Sequence, residues 1–136
     1  MAVNVECVYR GGLSVKSTHG PSRAELLTHS QEDKDSPAKE FSPTDLITAS
    51  LGACMLTVMG KVAEKNGIDF RDAAVIVEKI MAENPSRVQK LSAVFSLSSK
   101  YPDPMRRRLE AAAKACPVKR SLHPDLEIEL IFGYDQ

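Results

Sequence analysis

The chain has 136 residues with 18 basic and 18 acidic side chains, so its net charge is zero. That balance excludes a broad electrostatic attraction to nucleic acid or to an anionic membrane, and the length fits one domain, residues 1–136, with a modest core. Apolar residues at 43% and charged residues at 26% mark a globular chain, and with no Trp its core must come from Leu, Ile, Val, Ala and Met.

Residues 1–10 show no basic segment followed by an apolar run, so no signal peptide is expected and the chain is expected in the cytoplasm. Val3, Val5, Cys7 and Tyr9 alternate with Ala2, Asn4, Glu6 and Val8, the period of a strand. Gly11-Gly12 turns the chain, and Leu13 to Thr18 and Ala24 to His29 complete a small antiparallel meander. Residues 31–40 are polar, with Pro37, and read as an exposed loop.

Ser42-Pro43-Thr44-Asp45 opens a helix. Ser42 suits the N-cap, Pro43 the first helical position, and Asp45 completes a capping box. The helix runs to Asn66-Gly67, a length of about 36 Å at 1.5 Å per residue. Its stretch Leu46 to Gly60 is uncharged but too short and too polar to span a bilayer, so it is expected to be buried nearly all round. Ala49, Gly52, Ala53 and Gly60 suggest tight packing. So long a helix needs more cover than one chain provides, and a homodimer follows.

Two strands come next, Ala73 to Met81 and Val88 to Ser98, the second with Leu91, Ala93, Phe95 and Leu97 on one face. Asp103-Pro104 opens a second helix to Ala115, whose Arg106-Arg107-Arg108 run reads as a solvated face. Cys116-Pro117 interrupts it, and Leu126 to Phe132 gives a last strand. The order is α+β.

Three cysteines form no disulfide framework and no C-x-x-C occurs, while His19, His29 and His123 lack metal-ligand spacing; no metal or cofactor is expected. Cys7 reads as a small buried hydrophobe. Cys54 lies mid-helix without a nearby cation in sequence and reads, on its own, as a packed core residue. Cys116 can cap a turn starting at Pro117, with Lys119 and Arg120 one turn on, an environment favouring thiolate; a helix-ending cysteine without function is the equal alternative.

The segment Phe41 to Cys54, FSPTDLITASLGAC, resembles the central-helix motif of the OsmC/Ohr family, and Ala115-Cys116-Pro117-Val118 followed by Leu122 resembles its second motif. The resemblance covers nearly the whole chain. It implies an OsmC-like fold, with antiparallel sheets wrapped around long central helices in an intertwined homodimer. It also implies that Cys54 attacks the peroxide O–O bond and that Cys116 resolves the sulfenic acid to a disulfide, which a lipoyl or thioredoxin-like dithiol reduces. The family's active-site arginine would be Arg10 or, by preference, Arg23. Where the Ohr branch has Glu after the motif's Pro, this chain has Thr44, with Asp45 next. Nine residues before Cys54, Asp45 points away from the sulfur on a straight helix. Cys54, Cys116, Arg23, Asp45 and Thr44 are therefore the candidate site residues, in the general OsmC-like branch.

The expected function is a thiol peroxidase acting on organic hydroperoxides, with hydrogen peroxide as a second candidate substrate, in oxidative stress defence, with no nucleic-acid or membrane partner. The alternative is a non-catalytic OsmC-like module that binds a ligand beside Cys54, with a purely structural dimer partner as a third reading.

Overall fold

The computed structural model describes residues 1–30 and 38–136, and most of the loop expected over 31–40 lies outside the described residues. The chain divides into two compact units, residues 1–46 and 47–136, each taken by itself.

In the first unit, β1 (Val5–Gly11), β2 (Ser14–His19) and β3 (Glu25–His29) form an antiparallel sheet in chain order. Gly11 and Gly12 both have positive φ, which glycine adopts without steric cost, so the β1–β2 turn stands where the sequence placed it. Phe41 bridges Thr28 just before the first helix begins. Thr18 and Thr28 are the buried residues of this unit among those described, and β1 is exposed along its whole length. Cys7, expected as a buried hydrophobe, is exposed, with its Sγ 3.3 Å from Ser17 Oγ. The alternation that suggested a buried face is real, but no described element of the unit covers that face.

The second unit holds the core. α1 (Pro43–Lys65) begins at the boundary and places Leu51, Met55, Met59 and Ala63 on one buried stripe. Its other face is exposed at Ala49, Ser50, Ala53 and Thr57, so burial in this chain is one-sided rather than all round. By length and composition alone α1 would pass as a membrane span. Its buried stripe instead packs with β5 and α2 as a core helix.

β4 (Ala74–Ala82) and β5 (Arg87–Ser96) pair antiparallel, whereas β6 (Glu127–Gly133) lies parallel to β5. The expectation of antiparallel sheets therefore holds for the first sheet and for β4–β5, and β6 departs from it. Between β5 and β6 run α2 (Asp103–Lys114) and α3 (Pro117–Ser121), the kind of long helical crossover that returns a chain to the same end of a sheet. Leu91, Ala93, Phe95 and Leu97 face the core as the alternation required, and Phe95 stacks on Phe132 at 4.7 Å between ring centres. Burial of Leu91, Phe95 and Leu97 contributes about 1.5–3 kcal/mol each.

Candidate active site: two thiols at a helix crossing

The local start of α1 follows from its sequence. The Ser42 N–H donates to Asp45 Oδ2 at 2.9 Å, and the Asp45 N–H donates to Ser42 Oγ at 3.1 Å. This is a reciprocal capping box that satisfies two backbone donors at the helix start. The Thr44 hydroxyl lies 3.3 Å from Ser42 Oγ in the same first turn. Three turns on, α1 carries Cys54, half-buried and packed against the apolar core of the second unit. Two residues before it, a Cβ added at Gly52 would stand 3.2 Å from Val77 and 3.3 Å from Val75. Glycine is thus what lets β4 come this close to the cysteine-bearing turn. The other small residues do less: Gly60 leaves ordinary contact distance to Phe70, and Ala49 and Ala53 are exposed.

Cys116 arrives from the other side of the core. Leu109 and Ala113 seat α2 in it, the helix ends at Lys114, and Cys116 takes extended backbone angles as N-cap of α3 with Pro117 at the first helical position. Its side chain is fully buried and lies beside Cys54 in the same apolar cluster. The fold thus brings together two thiols that are far apart in sequence.

Their environment differs from the expectation at one point. Burial pushes the Cys116 thiol above the ordinary thiol range, and the neighbouring Cys54 thiol pushes it further. The backbone amides of Lys119 and Val118 pull the other way without prevailing, and they make no side-chain cap. Cys116 was expected to favour thiolate because it caps the turn at Pro117 and faces its backbone N–H groups, with Lys119 and Arg120 one turn on. What reaches the sulfur is backbone amide, and desolvation outweighs it.

The remaining candidates lie elsewhere. Arg10 is exposed on β1, and Arg23 is exposed in the β2–β3 turn at φ 62; both belong to the first unit. Asp45 and Thr44 lie in the capping turn of α1. Among the described residues, no cluster of His, Cys, Asp and Glu could hold a metal ion. Two surface clefts, of about 490 Å³ beside Asp69, Arg71 and Tyr101 and about 330 Å³ beside Lys39 and Asp45, are lined by neither Cys54 nor Cys116.

Sequence reading missed the brace that fixes α2. Arg106 donates to the carbonyls of Tyr101 (2.7 Å) and Ser99 (2.9 Å) and stands 4.2 Å over the Tyr134 ring, whose hydroxyl donates to Glu110 at 2.6 Å. Arg108 donates to Asn66 Oδ1 at 2.8 Å, tying α2 to the end of α1. Of the arginine run read as a solvated face, Arg107 and Arg108 are exposed as expected and Arg106 is the exception. The pairing of Arg106 and Glu110 four residues apart was a visible signal, but the acceptors come from residues that only the fold brings near.

A family model described as OsmC-like protein matches residues 35–131. No curated protein sequence matches the chain. Among solved structures, a Psychrobacter arcticus 273-4 protein provisionally described as an osmotic stress induced and detoxification response protein is 32% identical, with a TM-score of 0.89 over 95% of this chain and 94% of its own. An OsmC-like protein of Mycoplasma pneumoniae aligns at 16% identity and TM-score 0.82 over 98% and 96% of the two chains. The organic hydroperoxide resistance protein OhrB of Bacillus subtilis aligns at 16% identity and TM-score 0.68 over 98% of each chain. At those lower identities the likeness is one of fold. With the family model covering most of the sequence and both motifs meeting at one thiol pair, this chain belongs to the OsmC-like protein family.

Proposed function

We propose that the protein is a cytoplasmic, homodimeric thiol peroxidase that reduces organic hydroperoxides and is recycled by a dithiol reductant of lipoyl or thioredoxin type. The observation that carries the reading is that one chain sets the buried Cys116 thiol beside Cys54. A sulfur that resists ionisation is a poor first nucleophile, so the attacking role falls to Cys54 and the resolving role to Cys116. The Cys54 thiolate attacks the hydroxyl oxygen of ROOH. The O–O bond breaks, RO⁻ takes a proton to leave as ROH, and Cys54 becomes a sulfenic acid. Cys116 then attacks that sulfur, water leaves with the Cys116 proton, and a disulfide forms. Two electrons from the dithiol restore both thiols. Arg23, or else Arg10, is proposed as the active-site cation, and Thr44 and Asp45 as further site residues in the first turn of the helix that carries Cys54. The apolar packing around Cys54 favours an organic peroxide over hydrogen peroxide, and relatives of the same fold are named for organic hydroperoxide resistance.

The test is the mass of the intact chain after one equivalent of cumene hydroperoxide. The expected result is the loss of two hydrogens in the wild type and no dithiol-dependent turnover in Cys54→Ser. An unchanged mass together with full activity in Cys54→Ser overturns the proposal. A second reading, a non-catalytic ligand-binding module, draws on Thr44 and on the engagement of Asp45 in the helix cap. It expects ligand-dependent stabilisation without turnover.

A further inference from the structure

The whole chain is electrically neutral, yet α2 and α3 are not. Arg107 and Lys114 lie two turns apart on α2 and so share one exposed face. Lys119, half-buried, and Arg120, exposed, follow on α3, the helix that Cys116 caps. None of these four cations has an ion-pair partner among the described residues. The two helices carry six cations, Arg106, Arg107, Arg108, Lys114, Lys119 and Arg120, against two carboxylates. Asp103 stands one turn before Arg107, and Glu110 accepts from the Tyr134 hydroxyl. The nearest acid beyond α3, Asp125, lies 3.8 Å from His123. Three acids of this unit stand together on the sheet instead, where Glu129 pairs with Lys90 at 2.7 Å and Glu127 and Glu78 are near it.

Resting on the peroxidase reading, we infer that Arg107, Lys114, Lys119 and Arg120 form the docking surface of an acidic protein that carries the reducing dithiol. The cations bracket Cys116 along the chain, so a partner held by them stands beside the turn that carries the disulfide, and of its two sulfurs the half-buried Cys54 is the one open to attack. Complementary charge also steers the encounter, raising association rates by about 10 to 1,000-fold at low salt. In the exchange, one partner thiolate attacks a sulfur of the Cys54–Cys116 disulfide and expels the other as thiolate, which takes a proton. The partner's second thiol then breaks the mixed disulfide. The partner is oxidised to its own disulfide, and two electrons and two protons reach the cysteine pair.

The probes are two synthetic Cys-x-x-Cys dithiol peptides that differ only in their flanks, one glutamate-rich and one lysine-rich. Each is mixed with full-length protein oxidised by cumene hydroperoxide, and the return of the two hydrogens is followed by mass. Dividing by the dithiothreitol rate removes differences in intrinsic reducibility. At about 0.01 M salt the glutamate peptide is expected to act about tenfold faster than the lysine peptide. The advantage should vanish near 1 M salt, where the screening length is about 3 Å. In Lys114→Glu/Arg120→Glu the preference should invert, and Arg107→Glu, on an exposed face away from the core, should reduce it. Equal normalised rates for the two peptides in the wild type overturn the inference. So does a single-stranded oligonucleotide that binds the protein at the same salt more tightly than the glutamate peptide. Failure of cumene hydroperoxide to form the disulfide counts against the peroxidase reading instead; the oxidised pair is then made with diamide, and the peptide comparison still decides the docking surface.

Discussion

Cys116 keeps its proton because the folded chain surrounds it with apolar atoms and with Cys54. Folding therefore takes up protons in and above the pH range where an unfolded thiol ionises. The stability contributed is complete below that range and falls as pH climbs through it. Between about pH 8 and pH 10, where thiols titrate, the denaturation midpoint of the wild type is expected to drop more steeply than that of Cys116→Ala. Equal slopes would show that the buried thiol is not what titrates. The same site gives a chemical prediction. In Cys116→Ser, peroxide should leave Cys54 as a sulfenic acid that dimedone traps, whereas in the wild type the label should be outcompeted by the disulfide. Absence of label in Cys116→Ser would remove Cys54 from the attacking role. Neither role could be read from Cys54 itself, since Ala49 to Met55 reads as an ordinary core turn. The family motif pointed to it, and packing supplied the partner.

At the scale of elements, α1 was legible at both ends and not along its sides. Ser42 and Asp45 specify its start through local hydrogen bonds alone, so the capping box was visible in four letters. Ser42→Ala should lower unfolding free energy by about 1 kcal/mol, measured by urea denaturation; no loss would mean that the box adds nothing to the cap. Gly52 is a packing choice. Gly52→Val must push against Val75 and Val77, and a cost of about 1–3 kcal/mol is expected from overpacking. A neutral result would show that β4 can retreat freely from the cysteine-bearing turn. The brace on α2 was less legible, because Arg106 spends its donors on carbonyls of residues 99 and 101 and its face on Tyr134. An Arg-rich run has the same composition whether it meets solvent or carbonyl oxygen.

For the whole molecule, the exposed apolar surface is the argument for a second copy. Val5, Tyr9 and Leu26 lie on one face of the first sheet and are each more than two-fifths exposed in the single chain, and apolar surface of this kind marks an association site. A homodimer that covers it is the proposed state. Sedimentation equilibrium is expected to give twice the 14.9 kDa chain mass, and Tyr9→Asp to shift the population toward one chain. A wild type that sediments as one chain at all concentrations would sink this.

The sequence by itself determined the order of elements, the turn at Gly11-Gly12, the start of α1 and the core face of β5. Each depends on local propensity or on side-chain period, which neighbouring residues set among themselves. Only the tertiary structure decided that β6 lies parallel to β5, that Cys7 is exposed, that α1 is buried on one side, and that Cys54 and Cys116 meet. Those outcomes depend on which distant surfaces come together and how much water they exclude. Desolvation of Cys116 overrides the cations beside it in sequence for the same reason.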